Sequence, residues 1–217
     1  MRVLKSLAAV LILAGVAVIA LRQQGALHTA LAAQARWQPG AIEIGYAQFM
    51  SRHHQQAIAM AQLMQDGRPT RLLLLARSIE GMQQLELGEM RGWLGLWQQP
   101  LEPATRSMDW MLTGDGPPGD ELSRYLLDCQ RSPDGMPGLA STEDLERLRT
   151  LAGSERDRHF LGLMLAHHLG AVPMARYTAE QAGLAAVRGM AARVVLEQSE
   201  EIDRIRLMLQ SLPASGP

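Results

Sequence analysis

Phe49-Met50-Ser51-Arg52-His53-His54-Gln55-Gln56-Ala57-Ile58-Ala59-Met60-Ala61 has a near copy 114 residues further on, Leu163-Met164-Leu165-Ala166-His167-His168-Leu169-Gly170-Ala171-Val172-Pro173-Met174-Ala175. A second pair of matching segments follows: Gln83-x-x-Glu86-Leu87 returns as Gln198-x-x-Glu201-Ile202. With only 6 histidines in 217 residues, two adjacent pairs in matching contexts mark an internal duplication rather than coincidence. At about 100° per residue, Met50, His53, His54, Ala57, Met60, Ala61 and Met64 fall within one arc of an α-helix. Met164, His167, His168, Ala171, Met174 and Ala175 do the same in the second copy. Both arcs are otherwise apolar, so the histidines are expected to face inward.

Working outward, the helical pattern of 42–65 closes at Asp66-Gly67 and Pro69, and a second one runs over 70–98 to Pro100. Its inward stripe is Ile79, Met82, Gln83, Glu86, Met90 and Trp93. Residues 99–140 are broken by prolines and glycines and read as a connector with a short helix near 121–129. Ser141-Thr142-Glu143-Asp144 has the form of a helix start. Long helices over 154–182 and from Gly183 to about Leu212 follow, the last with the stripe Val194, Gln198, Glu201, Ile205 and Met208. No window alternates as a strand does. Each unit is a helical hairpin with an incomplete core, so two units closing on each other predict an all-α, four-helix bundle over 41–213. Its parts are hairpin 41–98, connector 99–140 and hairpin 141–213.

Ahead of the bundle, Arg2 and Lys5 precede an apolar run from Leu7 to Leu21, which predicts a signal anchor or a cleaved signal peptide over 1–24. An alanine-rich stalk over 25–40 ends at Pro39-Gly40. The remainder is therefore expected on the extracytoplasmic side, with the membrane met only through the amino-terminal segment. A net charge of -1 gives no basic face for nucleic acid. One lysine, Lys5, removes phosphate-loop and Schiff-base chemistry, and one cysteine, Cys129, removes disulfide frameworks and CxxC metal sites. Cys129 itself reads as a small buried residue. Arg147, Arg149, Arg156 and Arg158 lie among acids and read as a charged surface. Trp93, Trp97 and Trp110 are expected at one end of the bundle.

A carboxylate in the middle of each inward stripe is costly unless paired. Counted from the turns, His53 and Glu86, and likewise His167 and Glu201, lie within one helical turn of the same height at 1.5 Å per residue. Imidazole, carboxylate, amide and thioether thus converge in each hairpin. Two readings stay open. One is a polar core network that fixes helix register. The other is a metal centre of His53, His54, His167, His168, Glu86 and Glu201, with Met50 and Met164 as thioether ligands and Met60 and Met174 in a secondary role. Imidazole with thioether on the oxidising side of a membrane points to copper before other divalent transition metals. Glu-x-x-His and His-Glu-x-x-His are both absent, which disfavours di-iron oxygen activation and zinc proteolysis.

The doubled Met-x-x-His-His-x-x-Ala-x-x-Met-Ala motif, the Gln-x-x-Glu motif after each copy, and Asp134-Gly135-Met136-Pro137-Gly138 before the second resemble the bacterial family catalogued as domain of unknown function 305. The resemblance spans residues 45–209. It implies a ferritin-like helical bundle, export or membrane anchoring, and, for some members, copper binding or tolerance. By that resemblance His53, His54, His167, His168, Met50, Met60, Met164 and Met174 are the candidate ligands. Pro173, inside the second motif, cannot bond the Leu169 carbonyl and makes the two halves unequal. The expected function is sequestration or relay of a transition-metal ion, with a second copy or a metal-transfer protein as candidate partner. The alternatives are a metal-dependent oxidoreductase and a metal-free interaction module.

Overall fold

The computed structural model describes residues 15–30 and 37–212. By contacts the chain divides into two units, Met1–Gln38 and Pro39–Pro217, each taken by itself below. In the first, the described residues 15–30 form helix α1, exposed throughout. Arg2, Lys5 and the first half of the apolar run lie outside the described residues. No described helix is long and apolar enough to cross a membrane.

The second unit is all-helical, with no strand among the described residues. Helix α2 (Ala41–Leu63) starts after Pro39-Gly40, where the Glu43 carboxylate accepts the Gly40 amide at 2.8 Å. It ends before Gly67, which takes the left-handed conformation (φ 86°) that glycine tolerates. Helix α3 (Leu73–Leu96) stops short of Pro100. A 3-10 turn (Asp109–Leu112) and α4 (Asp120–Arg131) occupy the connector. Helix α5 (Thr142–Thr150) carries the expected capping box: Ser141 Oγ accepts from the Asp144 amide and the Asp144 carboxylate accepts from the Ser141 amide. Helix α6 (Gly153–Gln181) runs unbroken through Pro173, and α7 (Ala185–Ser211) closes the chain.

Helix α2 packs on α3, α6 on α7, and the two hairpins meet through α2 and α6. These last two are antiparallel. Glu43, at the start of α2, accepts the Gly183 and Leu184 amides beyond the end of α6. Asp157, at the start of α6, accepts the Thr70 hydroxyl at 2.6 Å and the Arg71 amide at 3.3 Å beyond the end of α2. Glu43 and Asp157 are 114 residues apart, the same separation as His53 and His167.

Two expectations about single residues need correction. Arg156 is not on a charged surface: it is fully buried, donates to the Leu63 and Leu148 carbonyls and pairs with Asp66 at 2.8 Å. The carbonyls that end α2 and α5 draw the guanidinium in, which a count of neighbouring charges cannot register. Met82 is 44% exposed. It lies at the flank of the α3 arc, about 60° from Ile79, where α2 no longer covers it.

Candidate metal centre

Every residue of the two motif arcs is buried: Met50, His53, His54, Ala57, Met60 and Ala61 on α2 with Met64 just past its end, and Met164, His167, His168, Ala171, Met174 and Ala175 on α6. The alanines let the two helices approach closely. At their crossing the His53 and His167 rings touch, with centroids 3.7 Å apart and planes tilted by 44°. From the flanking helices Glu86 and Glu201 reach the layer. His54 Nε2 lies 2.7 Å from Glu86 Oε2, and His168 Nε2 lies 2.6 Å from Glu201 Oε2.

The common height expected of imidazole and carboxylate is therefore present, but the pairing differs from the axial count. The carboxylates take the second histidine of each pair, and the first histidines meet each other. Adjacent residues on a helix stand about 100° apart. The α3-facing direction falls on His54, and the α6-facing direction falls on His53.

This layer divides the interior into two apolar clusters. One contains Met50, Met90, Leu94, Trp110, Met174 and Val194, with Trp93 and Trp97 packed against it, as the tryptophan pattern suggests. The other contains Met60, Met64, Ile79, Phe160, Met164 and Ile205. The first thioether of each motif thus shares a cluster with the second thioether of the other. Thioethers lie on both sides of the imidazoles.

The hydrogen bonds set the tautomers. A carboxylate accepts, so His54 and His168 donate from Nε2–H; the His53 carbonyl accepts likewise from His167 Nε2 at 3.0 Å. His167, held neutral by burial, then carries its lone pair on Nδ1, and none of the three Nδ1 atoms has a hydrogen-bond partner. His53 makes no hydrogen bond of good geometry at either nitrogen, and the Pro137 backbone is the one polar group that acts on its ring as an acceptor. Burial, reinforced by neighbouring imidazoles, pulls His53 and His167 well below the usual histidine range, so both are neutral at pH 7. Glu86 Oε1, Gln83 Oε1 and both amide atoms of Gln198 are also buried without partners. That concentration of orphaned nitrogen and oxygen is unusual for a protein interior. His53 and His167 are in the protonation state that ligates metal, and each carboxylate orients a neighbouring imidazole as outer-sphere carboxylates do. Among the described residues, however, no three His, Cys, Asp or Glu side chains are gathered as a ready ligand set.

The structure adds parts that the motifs do not announce. The segment 134–140 straps one side of the layer. Ala140 exchanges two hydrogen bonds with Gln56, at 2.6 and 2.9 Å, and Asp134 pairs with Arg52 at 3.2 Å. Its backbone lies on α6 so closely that a Cβ on Gly170 would fall 1.9 Å from the Pro137 carbonyl, and one on Gly138 2.1 Å from that of Ala166. Gly170 is the duplicate of Gln56, so one copy grips the strap and the other makes room for it. Tyr46 is fully buried with an unpartnered hydroxyl, and burial together with the Glu86 charge raises its pKa. Its duplicate is Phe160. Gln56/Gly170 and Tyr46/Phe160 are positions where the two copies differ, whereas the strap has no counterpart in the repeat and is marked only by its own Asp134-Gly135-Met136-Pro137-Gly138 run. Cys129 is buried, and desolvation pushes its thiol up to about 11, which leaves it inert.

The pattern that defines the domain of unknown function 305 matches residues 43–209. A family member from Streptomyces coelicolor, assigned as secreted, is 29% identical with a TM-score of 0.67, covering 81% of this chain and 96% of its own. A fragment from Deinococcus radiodurans is 27% identical with a TM-score of 0.62, covering 81% and 99%. CopM in its Cu(II)-bound form is 25% identical with a TM-score of 0.56, covering 77% and 95%; its Cu(I)-bound form has the same identity and score, covering 79% and 98%. No curated protein sequence matches the chain. A match across most of the chain, on the same all-helical fold, means that the chain belongs to the domain of unknown function 305 family.

Proposed function

We propose that the protein binds a soft transition-metal ion, copper first, as cargo between its two hairpins, on the extracytoplasmic side. The observation that carries this reading is a layer of four buried imidazoles, His53 and His167 held neutral, whose Nδ1 atoms have no hydrogen-bond partner of good geometry. His53, His54, His167 and His168 supply nitrogen. Met50, Met60, Met164 and Met174 supply thioethers from either side, a donor set suited to Cu(I). Glu86 and Glu201 hold His54 and His168 in the Nε2–H tautomer and keep Nδ1 free. Loading exchanges the contact between the His53 and His167 rings for bonds to the ion. CopM, similar to this chain over most of its length, has copper-bound forms. The location reading rests on the charged flank and apolar run of the first 24 residues and on the relative assigned as secreted. The same reading takes the four long helices as a ferritin-like arrangement that encloses the cargo.

The test is Cu(I) titration of the purified chain against a competing chromogenic chelator. His53→Ala/His54→Ala and His167→Ala/His168→Ala are each expected to lower the stoichiometry or weaken binding more than about 100-fold, and Glu86→Gln or Glu201→Gln about 10- to 100-fold. Unchanged stoichiometry and affinity in both double variants would remove the proposal. One observation favours a second reading, a metal-free register network: each carboxylate already has an imidazole partner. On that reading added Cu(I) leaves the melting temperature where it was, whereas an ion held by the native state raises it.

A further inference from the structure

All four imidazoles are shut off from solvent, so an ion that reaches them must cross one wall of the layer. Apolar clusters close the two axial directions. The strap 134–140 closes a third side with backbone laid directly on α6. What remains is the side on which α3 and α7 stand, where the layer shows its only exposure: the Glu201 side chain is 16% accessible and that of Glu86 is 7%.

That side is oxygen-rich. Glu197, half-buried on α7 one turn before Glu201, lies within electrostatic reach of Glu86, Glu200 and Glu201. The cation whose charge acts on it, Arg193, is held by Glu89 of α3 at 3.2 Å. A second observation is independent of charge. Gln198 and Glu86, only 3% and 5% exposed, keep unpartnered polar atoms in the same layer. The duplication supplies the other lip of the groove, because the counterpart of Glu197 is Met82, a thioether left 44% exposed on α3.

We infer that the groove between α3 and α7 is the port by which a soft metal cation reaches the buried imidazoles, with Glu197 gathering it at the rim and Gln83, Glu86 and Gln198 passing it inward. The inference rests on the metal-binding reading above. Glu197 acts by charge and position, not as a ligand in the final centre. It therefore lowers the barrier to passage in both directions and leaves the end state nearly alone.

Silver(I), which needs no reductant, is the probe. Its uptake and release by the full chain are followed by stopped-flow competition with a silver indicator. At about 10 mM salt, Glu197→Gln is expected to slow both rates by about threefold to tenfold, with the dissociation constant within about twofold of wild type. Glu197→Lys is expected to slow them further, and about 500 mM salt to erase the differences. Gln56→Ala, which loosens the strap, is expected to leave both rates unchanged. If wild type takes up silver and Glu197→Gln matches it at low salt, or if Gln56→Ala has the larger effect, the port lies elsewhere. If wild type takes up no silver at all, the metal reading falls and the port with it.

Discussion

Arg156 shows how far one side chain departs from what its neighbours in sequence suggest. Fully buried, it closes the last turn of α2 through Leu63, reaches the Leu148 carbonyl near the end of α5, and engages Asp66. Replacing it with methionine keeps most of the volume but strands two carbonyls, while Asp66 keeps its pair with Arg68 at 2.6 Å. Arg156→Met is expected to cost about 2–3 kcal/mol in urea denaturation, with Arg156→Lys recovering only part because one ammonium cannot span the fork. A loss below about 1 kcal/mol would mean that water replaces the guanidinium. The inward direction of the histidines was legible residue by residue, because a helical arc needs nothing beyond its own sequence. Which imidazole of each pair meets the glutamate was not, since that depends on how α2 is rolled against α3 and α6.

Helix boundaries divide in the same way. The start of α5 could be read from Ser141 and Asp144, which bond each other across three residues. The starts of α3 and α7 were read from Pro69 and Gly183 to within three residues, but not the carboxylates that brace them, Asp157 and Glu43, which lie 86 and 141 residues away along the chain. Each hairpin's first helix completes the other hairpin's second. Asp157→Ala and Glu43→Ala are each expected to cost about 1–3 kcal/mol, as the loss of a part-buried carboxylate that accepts backbone amides does. Because the two sites lie at opposite ends of α2, the double variant should equal the sum of the singles within about 0.5 kcal/mol. A large coupling in the denaturation midpoints would show instead that the ends communicate.

At the scale of the molecule, the polar layer makes stability depend on pH. His53 and His167 stay neutral in the folded protein below the pH at which they take protons in the unfolded chain, near 6.5. Their contribution is complete above that pH and is lost as the pH falls, by about 1.4 kcal/mol per unit for each group until the folded protein also protonates. The metal-free protein should therefore melt at a lower temperature at pH 5 than at pH 7.5, and His53→Gln/His167→Gln should flatten the profile between them. A flat wild-type profile would mean that the layer takes up protons without penalty. The duplication made the symmetric half of this design readable. The roles of the strap and of Tyr46 opposite Phe160 were not readable, since the symmetry says nothing about what fills positions without a matching counterpart. One consequence of the reciprocal carboxylates remains. Glu43 stands ten residues before His53, and Asp157 ten before His167, about 15 Å of helix in each case. Two rulers of equal length, laid head to tail and pinned at their zero marks, bring their tenth graduations face to face. A single residue added to either span would carry one ring round by a quarter turn and out of step with its mate, while the chain joining the rulers could lengthen without disturbing the reading.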